Sequence, residues 1–314
     1  MYDDAPLILK NFLTQKLTIE GRSPNTVKEY YYDLSGFLSY IKEVKGHSGD
    51  IDIEFIKTIE LNDIYNYLMF ISTEKKNSAR TRSRRVSSIK SFFKYLHIKV
   101  KLIENNPTEA LDAPKTIKAL PRYLELDESK RLLSCIDGRH KERDFAILTL
   151  FLNCGLRLSE LVGINISDIK KDSLVVKGKG NKERTIYLNS ACRTALDDYL
   201  AVRPKLNLKD EKALFISGQN NRIYFKTVQF LVKKYIQAAG LDPLKYSTHK
   251  LRHTAATLMY KYGKVDVRAL QEILGHEQLS TTQIYTHVSN DMIKEAVDRN
   301  PLADFGKEIN KNEH

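Results

Sequence analysis

The sequence predicts a mainly α protein of two domains, with a small β-sheet confined to the second. Three observations predict it. Apolar residues recur at spacings of three and four along most of the chain, the signature of helices with one buried face. A stretch with two prolines and little periodicity, residues 112–121, interrupts that pattern. Two short runs rich in β-branched residues flank the glycines of Gly178-Lys179-Gly180-Asn181, which suits a hairpin. At 314 residues the chain can build two cores. The expected division is a first domain at 1–111, a linker at 112–121 and a second domain at 122–314.

In the first domain, Ser23-Pro24 opens a helix, serine as cap and proline in the first turn. Val27, Tyr30, Leu34, Phe37 and Ile41 mark its inward face. A second helix runs near Leu61 to Ile71 through Ile64 and Leu68, and a third follows Ser78 with Val86, Ile89, Phe93 and Leu96 inward.

The third helix carries a charge anomaly. Between Lys75 and Lys101 stand Lys75, Lys76, Arg80, Arg82, Arg84, Arg85, Lys90, Lys94, Lys99 and Lys101, and no acid. Exposed helices ordinarily mix signs and gain i,i+4 pairs. An all-basic helix repels itself unless something negative lies against it. It is either a solvated face or a surface that tracks phosphates, for which Arg80, Arg82, Arg84, Arg85, Lys90 and Lys94 are the candidates.

In the second domain, an apolar run from Phe145 to Leu152 stops at Gly155, a natural helix end. Ser173–Val176 and Arg184–Leu188 are expected strands, Leu214-Phe215-Ile216 a candidate third, and helices follow near 225–239, 248–262 and 266–274.

Composition narrows the classes of function. Hydrophobic content of 42% and charged content of 29% fit a globular chain. No apolar run approaches the roughly 20 residues that span a bilayer, and the start, Met1-Tyr2-Asp3-Asp4, lacks the order of a secretory signal. Cys135, Cys154 and Cys192 have no metal-ligand spacing and read as reduced thiols. A cytoplasmic location is expected, with no membrane partner. The net charge of +12 favours a polyanion, nucleic acid above all, although a merely basic enzyme also fits. The excess is +2 in residues 1–113 and +10 beyond them, so both parts can face DNA.

No compact cluster of carboxylates resembles a Mg²⁺ site, so phosphoryl chemistry here would fall to cationic side chains. Thr248-His249-Lys250-Leu251-Arg252-His253 supplies some. With Thr248 as cap, His249 and Arg252 share one helical face, and Leu251, Ala255, Leu258 and Tyr262 form an apolar stripe roughly opposite. The segment could equally be a DNA-contacting surface helix, and His249 with His253 has the spacing of a zinc pair but no third ligand. Arg157, in Gly155-Leu156-Arg157-Leu158-Ser159-Glu160-Leu161, either caps the preceding helix or faces a ligand. Lys179 at the hairpin tip is either solvated or follows DNA. His276, after Leu274-Gly275, either caps its helix or reaches a site. Ser280-Thr281-Thr282-Gln283-Ile284-Tyr285 holds one tyrosine among 17 in the chain, so residue type alone does not single it out.

Together, Gly155–Leu161, Gly178–Arg184, His249–His253, Leu274–His276 and Ser280–Tyr285 closely resemble the tyrosine recombinase (phage integrase) family, especially bacterial Xer-type site-specific recombinases. The resemblance covers nearly the whole chain and departs at no catalytic position. It implies an N-terminal SAM-like helical core-binding domain that binds DNA, and a C-terminal mixed α/β tyrosine recombinase catalytic domain. It implies Arg157 and Arg252 on the scissile phosphate, Tyr285 as nucleophile, His249 as acid or base, and Lys179 as donor to the leaving 5′ oxygen. His276 would hold the phosphate or place the nucleophile, with Glu160 in support. No metal, cofactor or ATP is implied. The partners implied are a double-stranded DNA recombination site and a homo- or hetero-tetramer on two such sites. A DNA translocase is a further partner. Residues 289–305, with Met292, Ile293, Ala296 and Val297, would dock on a neighbour or pack within their own chain. Chromosome dimer resolution is the expected task, serving chromosome partition and cell division. A compact integrase of a mobile element and a catalytically silent DNA-binding protein are the alternatives, and a metal-dependent nuclease is a third.

Overall fold

The computed structural model describes residues 2–112, 114, 122–178, 182–263 and 265–275. The chain divides into two compact units, Met1–Lys118 and Ala119–His314. Most of the expected linker falls outside the described residues.

The first unit is a helical bundle. Helix α1 (Leu7–Thr14) runs on into a wider π turn at Gln15–Ile19. Helix α2 spans Pro24–Val44, and the Ser23 hydroxyl accepts the Thr26 amide at 3.2 Å. Helix α3 (Ile53–Lys57) is a single turn capped by Asp52. Helix α4 is Leu61–Thr73, and α5 is Ala79–Lys94, capped by Ser78. The sequence stripes point as expected: Val27, Leu34, Phe37, Ile41, Ile64, Val86, Ile89, Phe93 and Leu96 are buried, with Tyr30 and Leu68 half-buried. Edge-on aromatic pairs tie the bundle, Phe12 on Phe92 at 5.4 Å and Phe37 on Phe93 at 6.3 Å. Each such buried side chain contributes about 1.5–3 kcal/mol.

The second unit is built around helix α7 (Lys141–Cys154), preceded by α6 (Leu126–Ser134) and followed by the short α8 (Leu158–Gly163). Ile147, Leu148, Leu150 and Phe151 are fully buried, so α7 has no wholly solvent-facing side. Strands β1 (Ser173–Lys177) and β2 (Glu183–Tyr187) pair antiparallel with Val175 opposite Thr185, the register expected of a hairpin over residues 178–182. Helices α9 (Ser190–Val202), α10 (Phe225–Ala238), α11 (Thr248–Gly263) and α12 (Val267–Leu274) complete the unit. The free thiols of Cys154 and Cys192 share a hydrogen bond at 3.6 Å.

Three expectations are corrected. Leu214-Phe215-Ile216 is buried but forms no strand, only bridges at its ends. Arg203 donates to the carbonyls of Ala213 and Leu214, and the Tyr199 hydroxyl bridges Leu214 and Ile216, so side chains take the backbone groups that a neighbouring strand would use. Thr248 is the first helical residue of α11, and the cap position falls to Ser247, whose carbonyl accepts the Leu251 amide at 3.0 Å. Finally, α11 does not separate a core side from a polar side. Leu251 through Thr257 are all buried because α7, α10 and α12 pack around this stretch, while Tyr262 projects to solvent.

Candidate active site

The site starts at two helix ends. Helices α7 and α12 both stop at a glycine in the left-handed region, Gly155 at φ 60° and Gly275 at φ 63°. Glycine is required at both, because a side chain would be strained and would collide. A Cβ on Gly155 would lie 2.8 Å from Leu274 Cδ2, and one on Gly275 would lie 2.8 Å from Arg184 Cδ. The two ends therefore meet closely, each presenting carbonyls left over from its last turn.

Arginines take those carbonyls. Arg252, 2% exposed, donates through Nη1 to Gly155 O and through Nη2 to Leu274 O, both at 2.5 Å. Arg157 donates through Nη2 to Gly275 O at 2.7 Å. Of the two readings of Arg157, capping the preceding helix or facing a ligand, the first does not hold for α7. Arg157 serves the end of α12, and Arg252 closes the ends of both α7 and α12. Arg157 is itself the cap residue of α8, tied to Glu160 in that helix's first turn.

Glu160 binds the cluster together. Its side chain is fully buried. Oε2 accepts the Arg157 amide at 2.7 Å, and Oε1 accepts Arg157 Nη1 at 2.7 Å. Arg184, on β2, donates through Nη2 to Oε2 at 2.9 Å, and Arg252 Nη1 lies 3.9 Å from the same oxygen. Burial alone would raise the Glu160 carboxyl above its ordinary range, but hydrogen bonds and charge from Arg184 and Arg157 outweigh it and hold it below. Three guanidinium groups surround one carboxylate, which leaves an excess of positive charge at the place where two helix ends meet. That arrangement suits a phosphodiester, since paired guanidinium forks match its oxygens.

His249 is exposed on the first turn of α11, and its Nε2 lies 3.0 Å from Nε2 of the buried His253. A hydrogen bond between these atoms requires one ring to carry the proton there and the other to present a lone pair. Among the described residues no three His, Cys, Asp or Glu side chains gather as a metal site. Lys179, His276 and Tyr285 lie outside the described residues, as does the segment 289–305. The described neighbours of Lys179 and His276 border the cluster: a Cβ on Gly178 would sit 3.7 Å from Glu160 Oε1, and Gly275 carries the carbonyl bound by Arg157.

Sequence reasoning does not single out Arg184. A signal exists: β2 alternates, and Arg184 stands two residues before the buried Ile186, hence on the inward face. A charged residue at an inward strand position needs a partner.

In the first unit, the acid-free helix α5 has its negative partner inside the protein. Arg84 Nη1 lies 2.6 Å from Glu29 and 2.7 Å from the buried Asp33, both on α2. Arg85 is half-buried against the Tyr67 hydroxyl and Asp33, Arg82 donates to Asn77 O, and Lys90 Nζ donates to Leu111 O at 2.6 Å. Arg80, Arg84 and Lys94 are the exposed members of the candidate set. Arg85 and Lys90 are thus engaged with internal partners, while Arg80 and Lys94 stand exposed.

Comparison with known proteins agrees with this architecture. Residues 9–99 match the N-terminal SAM-like domain of phage integrases, and residues 122–292 match the phage integrase family. Tyrosine recombinase XerC of Caldanaerobacter subterraneus subsp. tengcongensis is 54% identical over 309 residues, covering 95% of this chain and 88% of that protein. Tyrosine recombinase XerD of Proteus mirabilis is 35% identical, covering 93% and 92%. Among solved structures, the XerH site-specific recombinase bound to difH substrate, in a pre-cleavage complex, shares the fold. Its TM-score is 0.70 at 22% identity, over 93% of this chain and 83% of that one. The chain belongs to the phage integrase family, and within it is a Xer-type site-specific tyrosine recombinase, an enzyme that recombines DNA.

Proposed function

We propose that this enzyme cuts and rejoins double-stranded DNA through a 3′-phosphotyrosine formed by Tyr285, and that its task is chromosome dimer resolution. The observation that carries the site assignment is the convergence of Arg157 and Arg252 on one buried carboxylate at the junction of two helix ends.

In this reading Arg157 and Arg252 hold the nonbridging oxygens of the scissile phosphate, where charge grows as phosphorus becomes five-coordinate. The Tyr285 oxygen attacks phosphorus and gives up its proton to His249. The bond from phosphorus to the 5′ oxygen breaks, and Lys179 protonates that oxygen. His276 donates to the phosphate or places the nucleophile. One phosphoester bond forms as one breaks, so the link keeps the energy needed for ligation without ATP or metal. A 5′-hydroxyl of the partner strand then attacks the phosphotyrosine and releases Tyr285. Exchange between two sites calls for four protomers, and a DNA translocase is the partner that would bring chromosomal sites together. Such a role places the enzyme in the cytoplasm, with functions in chromosome partition and cell division. No described helix is long and apolar enough to cross a membrane.

A nicked suicide duplex, which loses its 5′-hydroxyl fragment after cleavage, tests the chemistry. In EDTA the wild-type protein is expected to form a covalent adduct, and Tyr285→Phe to bind the duplex without forming one. Absence of adduct from wild-type protein that still binds the site rejects the mechanism. Genomic occupancy at a single chromosomal site tests the biological role; occupancy at the ends of a mobile element would reassign it.

A further inference from the structure

We propose that Arg184 is a positioning residue for strand cleavage, acting through Glu160 and the end of α12 on the two phosphate-binding arginines; this rests on the assignment of Arg157 and Arg252 above. Arg184 belongs to β2 and is separated by 24 residues from Glu160 and by 89 from Ile273, yet it contacts both. Nη2 and Nε meet the Glu160 carboxylate at 2.9 and 3.5 Å, while Nη1 donates to the carbonyl of Ile273. Its stem lies under the turn after α12, where a Cβ on Gly275 would come within 2.8 Å of Cδ and 3.1 Å of Nε. A single side chain thus joins the β-hairpin, the carboxylate and a helix end.

The contacts of Glu160 show what Arg184 does. Beside the Arg157 amide, two cations lie near Oε2: Arg184 at 2.9 Å and Arg252 at 3.9 Å. With Arg184 present, Oε2 is satisfied, and Arg252 keeps both of its amino groups on Gly155 and Leu274. Without it, a fully buried carboxylate loses one of its two close guanidinium partners and draws on Arg252 instead. The Arg252 fork is then drawn off the two carbonyls that fix its place at the junction of the helix ends. Release of the Ile273 carbonyl loosens the α12 end, which also anchors Arg157 through Gly275. Arg184 need not touch DNA to be felt in the transition state.

The test uses the full-length enzyme with Arg184→Gln and Arg184→Lys on the nicked suicide duplex, in two forms. One carries the natural scissile phosphate. The other carries a methylphosphonate, in which a methyl group replaces a nonbridging oxygen and removes the negative charge that the arginines meet. On the phosphate, Arg184→Gln is expected to slow single-turnover adduct formation about 100-fold, the scale of an ångström-sized misplacement. DNA affinity should stay within about threefold, since phosphate contacts elsewhere dominate it. Arg184→Lys should recover part of the rate, as lysine keeps the charge beside Glu160 but cannot bridge both partners. On the methylphosphonate the gap between wild type and Arg184→Gln should shrink at least about tenfold, because arginine placement no longer counts as much. An equal defect on both substrates overturns the proposal, as does a rate loss matched by loss of DNA binding. The wild type and Tyr285→Phe controls separate the two ideas: adduct from Tyr285→Phe defeats the site assignment itself, whatever Arg184 does.

Discussion

Arg84 Nη1 lies 2.7 Å from Oδ2 of Asp33, a carboxylate that is 1% exposed inside the helical bundle of the first unit. Burial pushes the Asp33 carboxyl above its ordinary range, although Ser88 donates to it and Arg84 and Arg85 lower it. The folded state therefore binds this proton more tightly than the unfolded chain does. Stability from this group is full below the ordinary carboxylate range and declines as pH rises through the raised value. Asp33→Asn removes that dependence. Melting temperatures across pH 3.5 to 7 (about the window of carboxylate titration) should show the variant gaining on wild type as pH rises. A variant that loses ground on wild type as pH rises would mean the ion pairs outweigh burial.

For DNA binding, the exposed and committed members of α5 should behave differently. Arg80→Ala with Lys94→Ala is expected to reduce the slope of log K against log salt by up to about 2, near one unit for each phosphate that is no longer neutralised. Arg85→Ala, by contrast, should lower the melting temperature with little change in slope, because its guanidinium is engaged with Tyr67 and Asp33. Salt titrations of binding to a duplex site, beside thermal melts, measure both.

Glu160→Gln places an amide N–H group among three arginines. The loss of a buried, paired charge is expected to cost about 3–5 kcal/mol. Because the folded Glu160 carboxyl is held below its ordinary range, its contribution is present above that range and lost as pH falls through the lowered value. The destabilisation of Glu160→Gln relative to wild type should therefore be full at neutral pH and fade in acid. Denaturant unfolding at several pH values reads this directly.

Gly155→Ala should cost about 1–3 kcal/mol, from a left-handed backbone and a methyl group driven into the fully buried Leu274. Adduct formation should fall by more than the stability loss explains, since the same carbonyl holds Arg252. Unfolding and single-turnover cleavage, compared on one preparation, separate the two effects.

Much of the fold is legible in the sequence because the signals are local. Ser23 and Ser78 announce α2 and α5, and the stripes through Phe37 and Ile89 name their inward faces. Helices α1, α3, α6 and α9 carry weaker signals and are not foreseen. Helix α3 is one turn long, and α6 is capped by the uncommon pair Glu125 and Glu128 in place of a serine or aspartate. The environment of α11 is not legible because the burial of Arg252 and Thr254 comes from distant segments, Gly155 being 97 residues away and Leu124 130. In the site, Arg157, Glu160 and Arg252 are foreseen and are brought together. Arg184 is not, since strand alternation locates β2 but shows which of its side chains turn inward only once the buried face is known.

The charge cluster is assembled from parts made at very different times. Arg157 and the carbonyl it holds on Gly275 are 118 residues apart. A chain still on the ribosome carries Glu160 and Arg184 well before Arg252 and the last turn of α12 have been translated. Until those emerge, the carboxylate cannot be sealed in, and the guanidinium groups of Arg157 and Arg252 have no helix end to close. The cluster is thereby completed only after the last turn of α12 has been made, long after its carboxylate.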